Sequence, residues 1–142
     1  MFSESAIPEA TIKAYLATDY KVMAAEPFVL NIGRASPELA LRFKLDWTGS
    51  TAFITAWNPS GELTSDSENH AAQQRLLAEI KALGLPYLDG EGRDPSGLWP
   101  GEPSFLVFGI SLEAARKLAR QFRQNGFVYA GSDATPRLIL LR

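Results

Sequence analysis

Two runs along the chain are largely apolar without alternation: Thr51-Ala52-Phe53-Ile54-Thr55-Ala56-Trp57 and Phe105-Leu106-Val107-Phe108-Gly109-Ile110. A strand that alternates apolar and polar residues buries one face, whereas an unbroken run is covered on both. Both runs therefore predict central strands. The first stops at the turn cluster Asn58-Pro59-Ser60-Gly61, which no strand crosses. Shorter strands are predicted at Phe28 to Ile32, at the Pro-containing Leu85 to Leu88, and at Phe127 to Ala130 and Leu138 to Leu141.

Helical spacing and caps place four helices between them. Pro8 sits where a first-turn residue needs no N–H, and Ile12, Leu16 and Tyr20 follow at four-residue intervals, predicting a helix from Pro8 to Thr18. Ser36-Pro37-Glu38 opens a second through Leu39 and Leu41. Ser65-Asp66-Ser67-Glu68 fits a capping box; its helix keeps Leu76, Ile80 and Leu83 on one face before Gly84, and that face runs back through Gln73 to Asn69. Ser111 caps the last, whose stripe is Leu112, Ala115, Ala119 and Phe122.

From Thr51 the order is strand, helix, strand, strand, helix, strand, the split βαβ or ferredoxin-like arrangement. The predicted class is α+β, an antiparallel sheet with two helices on one face. In that topology the two unbroken apolar runs take the centre, and the Leu85 segment and Phe127 to Ala130 take the edges. Residues 1–142 are read as one soluble domain, with 51–142 the ferredoxin-like core. The first fifty residues are an N-terminal helix and strand extension, covering the open sheet face or lengthening an edge.

Composition narrows the chemistry. Of 142 residues, 14 are Lys or Arg and 16 Asp or Glu, for a net charge of -2, so whole-molecule attraction to nucleic acid is not expected. There is no cysteine, which removes disulfides, thiolate metal sites and cysteine nucleophiles. No basic leader precedes an apolar segment, and no apolar run reaches the ~18 residues of a membrane span. A cytoplasmic protein without a membrane partner is expected. His70 is the only histidine and has no second ligand at metal-binding spacing, so no metal is predicted. Gly90-Glu91-Gly92 opens no helix and no phosphate-binding loop motif occurs, so no cofactor is predicted. Ser96, Ser104 and Ser111 lack a histidine partner in sequence.

Carboxylates and amides remain. A Gly- and Pro-rich loop, Asp89 to Gly101, leads into Glu102 just ahead of the Phe105 strand; long irregular loops of this kind are more often functional than decorative. Glu102 is the candidate catalytic residue, placed to orient a cation or move a proton, with Pro100 and Pro103 stiffening its backbone. Trp99 is a candidate pocket wall or a core plug. Asn58, Asn69, Ser104 and Gln124 complete the candidate ligand-binding set, although Asn before Pro is also an ordinary turn starter and Asn69 could satisfy a nearby backbone group. Arg116, Arg120 and Arg123 read as a solvated stripe.

Thr55-Ala56-Trp57-Asn58-Pro59, Glu68-Asn69, Gly90 with Gly92, Trp99 and Glu102 ahead of Ser104, Gln124 and the terminal Leu140-Leu141-Arg142 together resemble a bacterial family known only as domain of unknown function family 3293. That resemblance spans nearly the whole chain and implies no activity. The order of parts from Ala52, with Asn69 near a helix start, Glu102 before a long strand and Gln124 leading into Phe127, is also distantly similar to the phage S-adenosylmethionine lyases. Those are trimeric, PII-like versions of the ferredoxin-like fold. The likeness implies a glutamate that holds the substrate while the substrate's own carboxylate displaces its sulfonium leaving group. It also implies a homo-oligomer, trimer or dimer.

The functional expectation is a small polar or nucleoside-like ligand bound around Glu102, turned over by a lyase or hydrolase. The alternatives are a PII-like sensor acting through the Asp89 to Gly101 loop and an RNA-binding module using sheet-face aromatics.

Overall fold

The computed structural model describes residues 5–142. Those residues form four α-helices and one seven-stranded sheet in which every neighbouring pair is antiparallel. The chain runs α1 (Glu9–Ala17), β1 (Asp19–Val22), β2 (Phe28–Leu30), α2 (Pro37–Asp46), β3 (Thr51–Ile54), α3 (Asp66–Ala82), β4 (Tyr87–Arg93), β5 (Glu102–Phe108), α4 (Leu112–Gln121), β6 (Gly126–Ala130) and β7 (Arg137–Leu140). Across the sheet the order is β2-β1-β4-β5-β3-β6-β7.

The expected central pair is central. β3 lies between β5 and β6, with Ile54 opposite Phe105 and Thr51 opposite Phe108. Alternate residues of these strands enter two separate cores, which is why their sequences do not alternate. Ala52, Ile54, Phe105 and Val107 pack with Leu76 and Ile80 of α3 and with Ala115 and Leu118 of α4. Phe53, Leu106 and Phe108 pack on the opposite face with Leu39 and Phe43 of α2 and with Tyr20, Val22 and Leu30. Full burial of each large aliphatic or aromatic side chain contributes about 1.5–3 kcal/mol. The caps hold as predicted: the hydroxyls of Ser36, Ser65 and Ser111 accept from the backbone N–H of Leu39, Glu68 and Ala114.

Three expectations are corrected. The Leu85 segment and Phe127 to Ala130 are not edges, because β1 pairs with β4 and β7 pairs with β6; the edges are β2 and β7. Among the described residues before β3, β1 and β2 lengthen the sheet and α2 packs on its second face. The loop is shorter than Asp89 to Gly101, because Asp89 to Arg93 continue β4 and pair with β1 and β5. Glycines are ordinarily depleted from strands, but Gly90 makes room. A Cβ on Gly90 would come within 2.6 Å of the Phe53 ring, which itself packs edge-on against Tyr20 at 5.2 Å. β3 is also shorter than read, ending at Ile54, and β5 starts earlier, at Glu102.

Candidate functional site

Beyond Ile54 and Phe105 the ladder between β3 and β5 stops, and side chains take over the stitching. The Thr55 hydroxyl donates to the Pro103 carbonyl at 2.7 Å and accepts from the Trp57 N–H at 3.0 Å. Gln73, buried on α3, accepts from the Ala56 N–H at 3.0 Å and donates to the same Pro103 carbonyl at 3.1 Å. The exit of β3 is thereby fixed against the start of β5. That places Asn58 beside Glu102.

Asn58 is the centre of the network. Its N–H donates to Asn69 Oδ1 at 2.8 Å, its Oδ1 accepts from the Thr64 N–H at 3.0 Å and from Asn69 Nδ2 at 2.9 Å, and its Nδ2 donates to Glu102 Oε2 at 3.1 Å. The backbone donors of Asn58 and Thr64 dictate which end of each amide is oxygen. It follows that Asn58 must present an N–H to Glu102. Asn69 is 1% exposed and also donates to the Thr64 carbonyl at 3.2 Å, so this clamp is a satisfied buried polar cluster.

Glu102 is half-buried, and among the described residues it belongs to no ion pair. Burial pushes its carboxyl above the ordinary range, and the hydrogen bond from Asn58 opposes that only in part. A carboxylate held by one neutral amide remains short of positive charge. It can accept a proton, hold a cation, or take a donor from a ligand.

A second cluster adjoins it. In the sheet register Tyr20 lies opposite Gly92, and Gly92 opposite Glu102, so Tyr20 and Glu102 flank a position with no side chain on one face. The Tyr20 hydroxyl donates to the Tyr15 carbonyl at 2.7 Å. Asn125 Nδ2 donates to the Tyr15 hydroxyl at 3.0 Å, and an Arg142 guanidinium N–H donates to Asn125 Oδ1 at 2.8 Å. Burial raises the Tyr15 pKa, the Asn125 hydrogen bond lowers it, and the charges of Glu102 and Arg142 act on it in opposite senses. Burial is also the main reason the Tyr20 phenol is pushed up.

The two clusters share one turn. The Gly61 N–H donates to the Asn58 carbonyl at 3.0 Å, and a Cβ on Gly61 would come within 3.0 Å of Asn125 Nδ2. Asn58, Ser60 and Arg123 all have positive φ without being glycine, and the Ser60 N–H donates to the Arg123 carbonyl at 2.7 Å. Such residues cost on the order of 1–3 kcal/mol each and gather where surrounding structure holds them for a purpose.

Of the residues singled out from sequence, Asn58, Asn69 and Glu102 are brought together. Gln124 borders them, but its amide donates to the backbone carbonyls of Trp57 and Phe122, each at 3.3 Å. Ser104 is buried and donates to the Glu102 carbonyl at 3.1 Å. Trp99 is half-buried in the Asp94 to Gly101 loop and joins none of these side-chain hydrogen bonds. His70 is exposed and meets Trp57 edge-on at 5.0 Å. Sequence reasoning named none of Tyr15, Tyr20, Thr64, Asn125 or Arg142 as a site residue, setting Tyr20 on a helical stripe where the structure has it in β1 and Arg142 only within the family resemblance; Gln73 carried a signal, as a polar residue on the apolar face of α3. Among the described residues no three His, Asp or Glu side chains are grouped to hold a metal ion. Two surface clefts, of about 310 Å³ between α3 and α4 and about 380 Å³ beside Arg42 and Tyr87, do not include Glu102.

No curated protein and no solved structure gives a significant match to the chain. A family model matches residues 54–126, just over half the chain, from the end of β3 to the first residue of β6. The match takes in Asn58, Asn69, Glu102, Gln124 and Asn125 and excludes Tyr15 and Arg142. On that match the chain belongs to the family described as Protein of unknown function (DUF3293).

Proposed function

We propose that this protein binds a small polar, nucleoside-like or sulfonium-bearing ligand whose cationic or N–H-donating group docks on Glu102. The observation that carries the reading is the half-buried Glu102 carboxylate, oriented by Asn58 and left without a cationic partner among the described residues. Unpaired buried charge is costly, and perturbed acids of this kind gather at functional sites. The strand order β4-β5-β3-β6, with α3 and α4 against one face, supports a ferredoxin-like, PII-like reading of residues 51–142 within a single domain.

The enzymatic version is a lyase, including an S-adenosylmethionine-lyase-like one, or a hydrolase, with Glu102 acting by charge and position. The sensor version is favoured by a different feature. In the Asp94 to Gly101 loop, Asp94 accepts from the N–H groups of Ser96 and Leu98 while the Leu98 side chain is 87% exposed, a shaped loop with an apolar tip. An RNA-binding reading is not adopted, because both faces of β3 and β5 are packed under helices or neighbouring side chains.

The test is a thermal-shift screen of nucleosides, nucleotides, amino acids and S-adenosylmethionine against the wild type and Glu102→Gln. A ligand present at 100 times its Kd stabilises the native state by about 2.7 kcal/mol. For 142 residues that is a rise of about 9 °C. The rise should appear with a cationic compound and shrink in the variant. No rise with any class, or an equal rise in both proteins, would refute the reading. Product formation with the ligand so found separates the enzyme from the sensor.

A further inference from the structure

Resting on the Glu102 reading, we infer that the site is bipolar: Glu102 takes the cationic end of a zwitterionic amino-carboxylate ligand, and Tyr15 with Arg142, aligned by Asn125, takes its carboxylate. Asn125 is 5% exposed and spends both ends of its amide on this task. Its Oδ1 accepts from Arg142 and its Nδ2 donates to the Tyr15 hydroxyl oxygen. A phenol whose oxygen already accepts a hydrogen bond has its own O–H proton to give, and a guanidinium that has used one N–H keeps four. Both remaining donor sets suit an anion, and a guanidinium beside a hydroxyl is a carboxylate-binding pair.

Glu102, by contrast, offers acceptors only. The poles are neighbours through the turn whose first residue, Asn58, holds Glu102 and whose last, Gly61, abuts Asn125. The hydrogen bond closing that turn keeps its Cα ends within about 7 Å. Neither Glu102 nor Arg142 belongs to an ion pair among the described residues. An ammonium and a carboxylate carried on one small molecule answer both poles, the ammonium donating to Glu102 and the carboxylate accepting from Tyr15 and Arg142. A neutral nucleoside would leave the Arg142 pole unused.

The experiment uses the full chain and a panel of L-amino acids, each paired with its methyl ester, which keeps the ammonium and removes the carboxylate charge. Affinities are measured by calorimetry for the wild type, Glu102→Gln, Arg142→Met and Tyr15→Phe. For any amino acid that binds, the ester should bind at least tenfold more weakly to the wild type. Arg142→Met should bind acid and ester alike, and Glu102→Gln should weaken both. Equal wild-type binding of acid and ester, with Glu102→Gln still weakening both, would overturn the bipolar site while sparing the Glu102 reading. Binding that Glu102→Gln leaves unchanged, or no binding by any pair, would overturn the inference. Should a variant fail to fold, the acid-to-ester ratio of the wild type decides alone.

Discussion

Replacing Glu102 by Gln keeps the side chain's shape and its capacity to accept from Asn58 Nδ2 while removing the charge. In the folded protein burial raises the Glu102 pKa; unfolded, it returns to about 4.3. Between those two values the native state binds more protons than the unfolded state. Stability therefore falls as pH rises through that window. Above the window the wild type bears the full cost of the buried charge; below the unfolded value it bears none. The variant should thus be more stable than the wild type at pH 8 and equal to it near pH 4. Removing a single incompatibility at a functional site yields about 1 kcal/mol. With 142 residues and an unfolding entropy of ~2.1 cal/mol/K per residue, that corresponds to about 3 °C in Tm. Scanning calorimetry of both proteins at the two pH values measures it. A variant less stable at pH 8, or a difference that does not change with pH, would show that the charge is already compensated and would remove the basis for a docking site.

Asn58→Ala should cost about 2–4 kcal/mol in urea unfolding, because it strands the Thr64 N–H, removes the one amide donor on Glu102 and takes one of two acceptors from Asn69 Nδ2; Asn58→Gly, which relieves the positive φ, should recover only part of that. Gly90→Ala drives a methyl into the Phe53 ring and towards the Lys21 carbonyl and should lose about 1–3 kcal/mol by the same measurement, whereas a loop glycine such as Gly97 would not reach these groups.

Parts of this fold were legible because they are local. The three serine caps and the spacing of Leu76 and Ile80 state their helices within a few residues, and the unbroken runs around Phe53 and Leu106 state a strand covered on both sides. β1 was not legible. Asp19-Tyr20-Lys21-Val22 has the alternation of a strand in too few residues to register, and it becomes one only by pairing with β4. Gly90-Glu91-Gly92 misled towards a loop for a related reason: Gly90 answers to the Phe53 ring, supplied by another strand. The candidate site divides the same way. Asn58, Asn69 and Glu102 announced themselves as polar residues at the ends of apolar elements, while Tyr15 meets Asn125 and Arg142, at the paired ends of β6 and β7, from the far end of the sequence.

The pairing of Tyr20 with Gly92 also bears on how the chain matures on the ribosome. About 70 residues separate the two, and at ~5–20 residues per second β1 and β2 leave the exit tunnel roughly 4–14 s before β4 can join them. Through that interval Val22 and Leu30, destined for the second core, belong to a two-stranded ribbon that is marginal by itself. The β1–β2 ribbon is therefore made before its partner strand and fastened late, its margin open until β4 arrives.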